Sequence, residues 1–544
     1  MLAAALLAAP AYAAIPPDAQ NCGTIIIPPG IGAGTGADIT SFNPMLVTSL
    51  YNQEAADLLF TQLIWIAPDH SIDYARSLVS AIATPDAGTT YQITLRPWHW
   101  SDGVPLTAAD VLYTFNYAKS LGDTWPGYGT GGMPDIIKSF TIENPTHFTI
   151  TLKRQVNPSW FILNGLSTLV VVPAHVWGKF TDDQIWQNQS SPAFFQVVDG
   201  PLILKKLTVG QDAEFAPNPN YDGPSLHFSR LVMKFMNSED AELQAVESHD
   251  LDMANIPFPL FDMAKNLPGL HAITLSPLYG WNEIVPNMAN RTTPYFADAR
   301  VRQAMADAIN QKQIIALAMH GSGEETHSAI PVDPPTFLSP AGRANQFPTG
   351  YDPQKAKTLL REAGFTPGPD GILQKDGKKF AFTILVPAAQ EMRIEMIEVV
   401  QQNFRAVGIE MKVRQIEFNH VIALLDSAPQ SFAASQAWQA ILLGSTLSAF
   451  PSGEGNFNTG GYYNDNGYSN PEMDADIAAS TDKPGLAGLF AYEDFSAAQQ
   501  PVIFLPEEKY SILARDGLHG IDQFISPIPL WAPDALYCTP APQA

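Results

Sequence analysis

Trp100-Ser-Asp-Gly-Val-Pro-Leu-Thr-Ala-Ala-Asp-Val-Leu-Tyr-Thr-Phe115 is the stretch from which the fold is read. Just before it, Gln92-Ile-Thr-Leu-Arg96 has the character of a strand end. Within it, Asp102-Gly103 and Pro105 supply a turn, and Thr107 stands where an N-cap opens an amphipathic helix. A strand, a turn and a capped helix in succession predict α/β structure, and by themselves fit many proteins.

Outward from there, Thr24–Pro28, Tyr91–Leu95, Phe148–Leu152 and Leu169–Val172 read as strands alternating with helical patterns. The second half is dominated by helices. Val301, Ala304, Met305, Ala308 and Ile309 fall on one face of a helix expected to continue to Gly321. Asp352-Pro353 provides an N-cap and a first-turn proline for a helix that packs Ala356, Leu359, Leu360 and Ala363 inward and stops at Gly364. A third helix runs from about Gln390 to Gly408, and Ile409–Val413 alternates like a half-buried strand, as in a βαβ unit.

With 544 residues the chain exceeds one hydrophobic core, and no repeat or linker divides it. Hydrophobic residues make up 46% and charged ones 15%, a globular composition without an apolar run of membrane-spanning length. A net charge of −24 argues against nucleic acid and anionic membranes as partners. Met1-Leu-Ala-Ala-Ala-Leu-Leu-Ala-Ala-Pro-Ala-Tyr-Ala13 reads as the apolar core and Ala-x-Ala cleavage site of a signal peptide, giving a mature start near Ala14 in the periplasm or outside the cell. No lipid-anchoring cysteine sits at that cleavage point. Cys22 and Cys538 are candidates for a disulfide, which requires both ends of the chain to share a lobe.

Six segments in order carry a resemblance: Asp38-Ile-Thr-Ser-Phe-Asn-Pro44; the Trp100 stretch; Asp199-Gly-Pro201 with Asn218–Pro224; Asp298-Ala-Arg-Val-Arg-Gln-Ala304; Tyr351–Phe365; and Gly467-Tyr-Ser-Asn-Pro-Glu-Met-Asp474. Together they resemble the family-5 extracellular solute-binding proteins, the dipeptide and oligopeptide binders of ABC importers. The resemblance implies a periplasmic-binding-protein-like α/β fold of two main lobes plus a smaller one, hinged by two crossing segments. After the signal peptide, residues 1–13, the first lobe is expected from 14–57, 199–286 and 503–544, the second from 58–198 and the third from 287–502. Cys22 and Cys538 then fall in the same lobe.

Other chemistry lacks support. Gly30–Gly36 misses the Gly-x-Gly-x-x-Gly register, and His320, Glu324, Glu325 and His327 lie in a loop without helical ligand spacing. Asp465-Asn-Gly467 reads as a turn because the first acid of a calcium loop is replaced by Tyr462. No Gly-x-Ser-x-Gly elbow occurs. No catalytic residue, metal or cofactor is expected.

For the ligand site, strand alternation in Leu278–Asn287 puts Tyr279, Trp281 and Glu283 on one face. The resemblance implies that this strand faces the ligand, with Trp281 as a stacking surface and Glu283 as a partner for an ammonium group. Trp438–Pro451 is the second expected wall, with Trp438, Ser445 and Thr446, followed by Glu454 and Tyr462 in a polar loop. Peptide binders of the family carry a Gly-Trp pair there and then an acid that grips the α-amino group. This chain has Gly444-Ser445 and no acid before Glu454, so either Glu283 or Glu454 takes the amine, or the ligand is not a simple peptide. Tyr51 and Asn52 are further candidates.

The expected function is that of a monomeric binding subunit of an ABC importer, which captures a short peptide between closing lobes and delivers it to permease subunits. The alternatives are a non-peptide solute such as an opine, a sugar or a metal chelate, a secreted hydrolase, and an envelope chaperone.

Overall fold

A computed structural model describes residues 15–32, 39–47, 49–236, 238–388, 390–427, 435–528 and 530–540. The expected signal peptide, Asp38 and residues 33–36 of the glycine-rich loop lie outside them.

Two compact units divide the chain: one comprises the residues up to Leu278, Ser448–Phe450 and the stretch from Tyr510 onward, the other Tyr279–Leu447 and Pro451–Lys509. In the first unit, Thr24–Ile27 pairs in parallel with Arg230–Lys234, and Asp212–Pro217 and Leu202–Thr208 extend that sheet antiparallel. Ser511–Arg515 lies between Leu270–Thr274 and Met253–Asn255. The N-terminal, central and C-terminal segments therefore share sheets. A disulfide joins Cys22 to Cys538 in this unit, with Cα atoms 5.2 Å apart.

The Trp100 stretch adjoins a four-stranded antiparallel sheet, Val79–Ala83, Thr90–Leu95, His147–Leu152 and Ile137–Asn144. Gly103, at φ +85°, lets the chain reverse between the Trp100 carbonyl and Val104, whose N–H bonds to the Asp102 carboxylate at 3.1 Å. Thr107 and Asp110 form a capping box on helix Ala108–Leu121. Trp98 is buried and donates to the Asp199 carbonyl at 2.9 Å, and Asn218 Nδ2 donates to the Gly200 carbonyl at 2.9 Å. A Cβ on Gly200 would lie 2.4 Å from the Leu59 carbonyl carbon. These motifs thus bind to one another and build scaffold.

Leu169–Val172 departs from the expected strand: its four residues are all buried, but only Val170 makes a bridge, to Gln62. Its apolar run reports burial on every side, which periodicity cannot tell from pairing.

In the second unit a five-stranded sheet runs in the order Glu410–Ile416, Ala381–Pro387, Ala440–Thr446, Gly280–Pro286, Ile503–Leu505. The first three strands are parallel, and Gly280–Pro286 is antiparallel to both its neighbours. Ala381–Pro387, helix Glu391–Ala406 and Glu410–Ile416 form the expected βαβ unit, the helix stopping before Gly408 at φ +89°. Asp352 caps helix Pro353–Glu362, and Gly364 follows at φ +93°. The helix beginning at Ala299 ends at Ala308: Ile309 is extended, and Asn310 caps a second helix, Gln311–Leu317, through a 3.1 Å bond from the Gln313 N–H. The side-chain amide of Asn310 competes with continued helix and wins. Buried Arg302 donates to the carbonyls of Gln499 and Gln500 at the end of helix Ala487–Gln499, and burial pulls its pKa down to about 10.

Candidate functional site

The strands Gly280–Pro286 and Ala440–Thr446 bring several expected residues together, because their register sets Trp281 opposite Ser445 and Gly280 opposite Thr446. Directly opposed residues share a face of the sheet, and successive residues take opposite faces. The two faces at this end of the sheet differ chemically.

On one face lie Trp281, Glu283 and Ser445. The Trp281 indole N–H donates to Glu283 Oε2 at 2.7 Å, and the Ser445 hydroxyl donates to Oε1 at 2.8 Å, so each carboxyl oxygen has a partner. Trp281 is stacked against Phe457, with centroids 6.3 Å apart, and meets the edge of Phe504 at 5.2 Å. Tyr279, Trp281 and Glu283 are all buried. Burial raises the Glu283 pKa, its two hydrogen bonds pull the other way, and the charge of Asp465 adds to the rise. Burial also raises the Tyr279 phenol, with Glu507 and Glu493 adding to it.

On the other face, Asn282 is opposite Gly444. Asn282 is buried; its Nδ2 donates to the Pro506 carbonyl at 3.0 Å and to Glu508 Oε2 at 3.1 Å, and its Oδ1 accepts from Arg393 Nε at 2.9 Å. Arg393, in the first turn of helix Glu391–Ala406, also donates through Nη1 to Gln390 Oε1 at 2.6 Å. Its Nη2 lies 2.2 Å from where a Cβ on Gly444 would stand. Gly444 itself is exposed.

The remaining expected residues are dispersed. Trp438 is buried near the start of its strand, where its carbonyl accepts from Asn287 and Asn290 at 3.0 and 2.7 Å. Thr446 and Glu454 are exposed. Tyr462 and Tyr463 occupy a turn, with no strand alternation between them: both are exposed, and their rings meet edge to face at 4.8 Å. Tyr51 and Asn52 belong to the first unit, on helix Leu50–Leu59. There Asn52 accepts from the backbone N–H groups of Thr40 and Ser41 at 2.8 and 3.1 Å, bracing the Asn-Pro opening beside a cavity of about 490 Å³.

Asn282 and Arg393 were not among the residues expected from sequence. Alternation separates the faces of Gly280–Pro286 but does not say which one a distant loop will cover. The one sign in the sequence was next to Gly444, where Ser445 stands in place of the tryptophan of the expected Gly-Trp pair.

A family described as bacterial extracellular solute-binding proteins, family 5 Middle, matches residues 73–468. The oligopeptide-binding protein AppA of Bacillus subtilis is 27% identical over 419 residues, which cover 75% of this chain and 73% of AppA. The structure of that AppA in complex with a nonapeptide superposes with a TM-score of 0.71 at 22% identity, covering 96% of this chain and all of that one. NikZ of Campylobacter jejuni in complex with Ni(L-His) superposes with a TM-score of 0.70 at 21% identity, covering 96% and 98%.

Proposed function

The chain belongs to the bacterial extracellular solute-binding proteins of family 5, and from that premise we propose that it captures short peptides for an ABC importer and hands them to the permease subunits. The observation that carries the peptide reading is the similarity to AppA over three quarters of the chain. Residues 1–13 direct export, and the mature protein works as a monomer in the periplasm or outside the cell. Its lobes are 14–57 with 199–286 and 503–544, 58–198, and 287–502. They close on the ligand, and affinity comes from differential binding to the closed state. Among the described residues no helix is long and apolar enough to cross a membrane.

Ligand contact falls to exposed residues, Thr446, Glu454 and Tyr462. Tyr279, Trp281, Glu283 and Ser445 form the packed backing of that wall, Trp438 is buried before the other end of its strand, and Asn52 supports the opening loop of the other unit. Glu454, at the surface, is more accessible to an α-ammonium than buried Glu283.

A second reading, a non-peptide solute such as an opine, a sugar or a metal chelate, is favoured by Gly444-Ser445 and the lack of an acid before Glu454. Native mass spectrometry of freshly purified protein, with identification of what denaturation releases, tests both readings. A ladder of short peptides supports the first; a single non-peptide mass replaces it with the second.

A further inference from the structure

We propose that the cavity of about 490 Å³ beside the Asn-Pro opening is a second ligand site, which takes the neutral pyranose ring of a sugar. The cavity lies wholly in the first unit, whereas the strands that carry Trp281 and Thr446 belong to the other. The inference goes beyond peptide capture and does not depend on it.

Trp186 marks the place. Nine of the ten tryptophans are buried, and Trp186, which lines the cavity, is the exception at 48% exposure. Phe194 takes Trp177 and Phe180 as ring partners, and among the described residues no ring meets the Trp186 indole. Its helix, Asp182–Gln187, is fixed by a capping box of Thr181 and Gln184 and by buried Ile185. An indole held in water at a polar cavity offers a flat apolar surface to whatever enters.

Leu46 apart, the rest of the lining is polar and uncharged. Gln189 is tied to the opening loop twice: its carbonyl accepts from the Phe42 N–H at 2.8 Å, and its Oε1 accepts from the Ser41 hydroxyl at 3.3 Å. Among the described residues its Nε2 has no partner, nor have the Thr124 hydroxyl and Trp186 Nε1. Asn52 holds Thr40 and Ser41 through both their N–H groups, and its Nδ2 donates to Thr40 Oγ1 at 3.1 Å. The walls are therefore set before a ligand arrives, which lowers the cost of binding.

Among the described residues no Lys, Arg, Asp or Glu lines the cavity, so nothing in it pairs with a peptide terminus. Asp123, Asp182 and Asp183, its neighbours in sequence, are exposed to water. Hydroxyl and carboxamide groups beside one open indole suit a pyranose: its hydroxyls bond to the side-chain amide and hydroxyls, and its C–H face lies on the indole. The volume falls in the range of small-molecule sites and accommodates about one or two sugar rings.

The test reads acrylamide quenching of tryptophan fluorescence in the full mature chain while glucose, N-acetylglucosamine, maltose and cellobiose are titrated in. Because Trp186 is the one exposed indole, at least one of the four should protect most of the quenchable emission. Saturating short peptide should leave the sugar Kd within about twofold. By calorimetry, Trp186→Ala should weaken sugar binding about tenfold or more and Gln189→Ala about fivefold, with the unfolding midpoint and peptide affinity unchanged. Trp186→Phe keeps a ring and should recover part. A sugar that protects while its tetramer does not is a free ligand; equal protection by the tetramer identifies the end of a glycan chain. The proposal is overturned if none of the four sugars protects Trp186, or if both alanine variants bind sugar as wild type does. Displacement of the sugar by peptide also overturns it, by making the cavity part of the peptide site. Should no peptide bind, the peptide reading fails while the sugar titrations still decide this one.

Discussion

The two faces of the strand pair Gly280–Pro286 and Ala440–Thr446 share a backbone, a register and a solvent boundary, yet one is closed and the other is not. On the first, Trp281, Glu283 and Ser445 satisfy one another under Phe457 and Phe504. On the second, Asn282 and Gly444 position a guanidinium whose hydrogen-bonding capacity is partly unspent. A residue type suited to ligand chemistry is therefore a poor guide by itself. What separates backing from binding is whether the polar groups have already been satisfied within the fold.

The largest expected effect belongs to the closed face. Trp281→Ala removes a buried indole and the donor to Glu283, and should cost about 3–5 kcal/mol of stability by denaturant unfolding. A loss below about 1 kcal/mol would mean that Trp281 is available to a ligand.

Next in size is a pH effect from buried acids in the same unit. Glu493 is fully buried and accepts from the Ser339 N–H and the Ser328 hydroxyl; burial still raises its pKa from 4.5 to about 7. Between those values the folded state binds more protons than the unfolded state. Stability should therefore fall as pH rises from 4.5 to 7, by about 3 kcal/mol for this group. Glu507 of the same unit and Glu54, Asp57 and Asp199 of the other are shifted in the same direction by burial. His70, pulled down to about 4 by burial, opposes them below its ordinary 6.5. Thermal unfolding should give a higher Tm at pH 5 than at pH 8, and Glu493→Gln should flatten the slope; a Tm that rises with pH would refute the assignment.

On the open face, Gly444→Ala should act through Arg393. Its Cβ would displace Nη2, so affinity for short peptides should drop about tenfold or more while the unfolding midpoint moves little. Unaltered affinity would detach Gly444 from the ligand. The smallest effect is expected for Glu283→Gln, which keeps an acceptor and replaces a carboxyl whose charge burial already disfavours. Stability near pH 5 should change by less than about 1 kcal/mol, with a gain at pH 8, as read by denaturant unfolding at both values.

Much of the scaffold was legible because its signals are local. Thr107 and Asp110 cap one another three residues apart, and Asp352-Pro353 and Gly364 bound their helix as written. Signals that depend on distant partners were not. Ile309 looked helical until Asn310 claimed the next turn, and Leu169–Val172 looked like a strand because it is buried all round. At the site, alternation grouped Trp281 and Glu283 on one face, as the strand has them; Tyr279 precedes the strand. Phe457 and Phe504, more than 170 residues further on, decide that this face is covered. Arg393 escaped notice for the same reason: its partner Asn282 is 111 positions away.

The most direct measurement is a side-by-side titration of Arg393→Gln and Glu283→Gln with short peptides, with the unfolding midpoint of each variant recorded at pH 5 and pH 8. A division of roles between the two faces predicts that Arg393→Gln loses affinity at an unchanged midpoint, whereas Glu283→Gln keeps its affinity and changes the pH dependence of the midpoint. Lost affinity in Glu283→Gln together with full affinity in Arg393→Gln would contradict it.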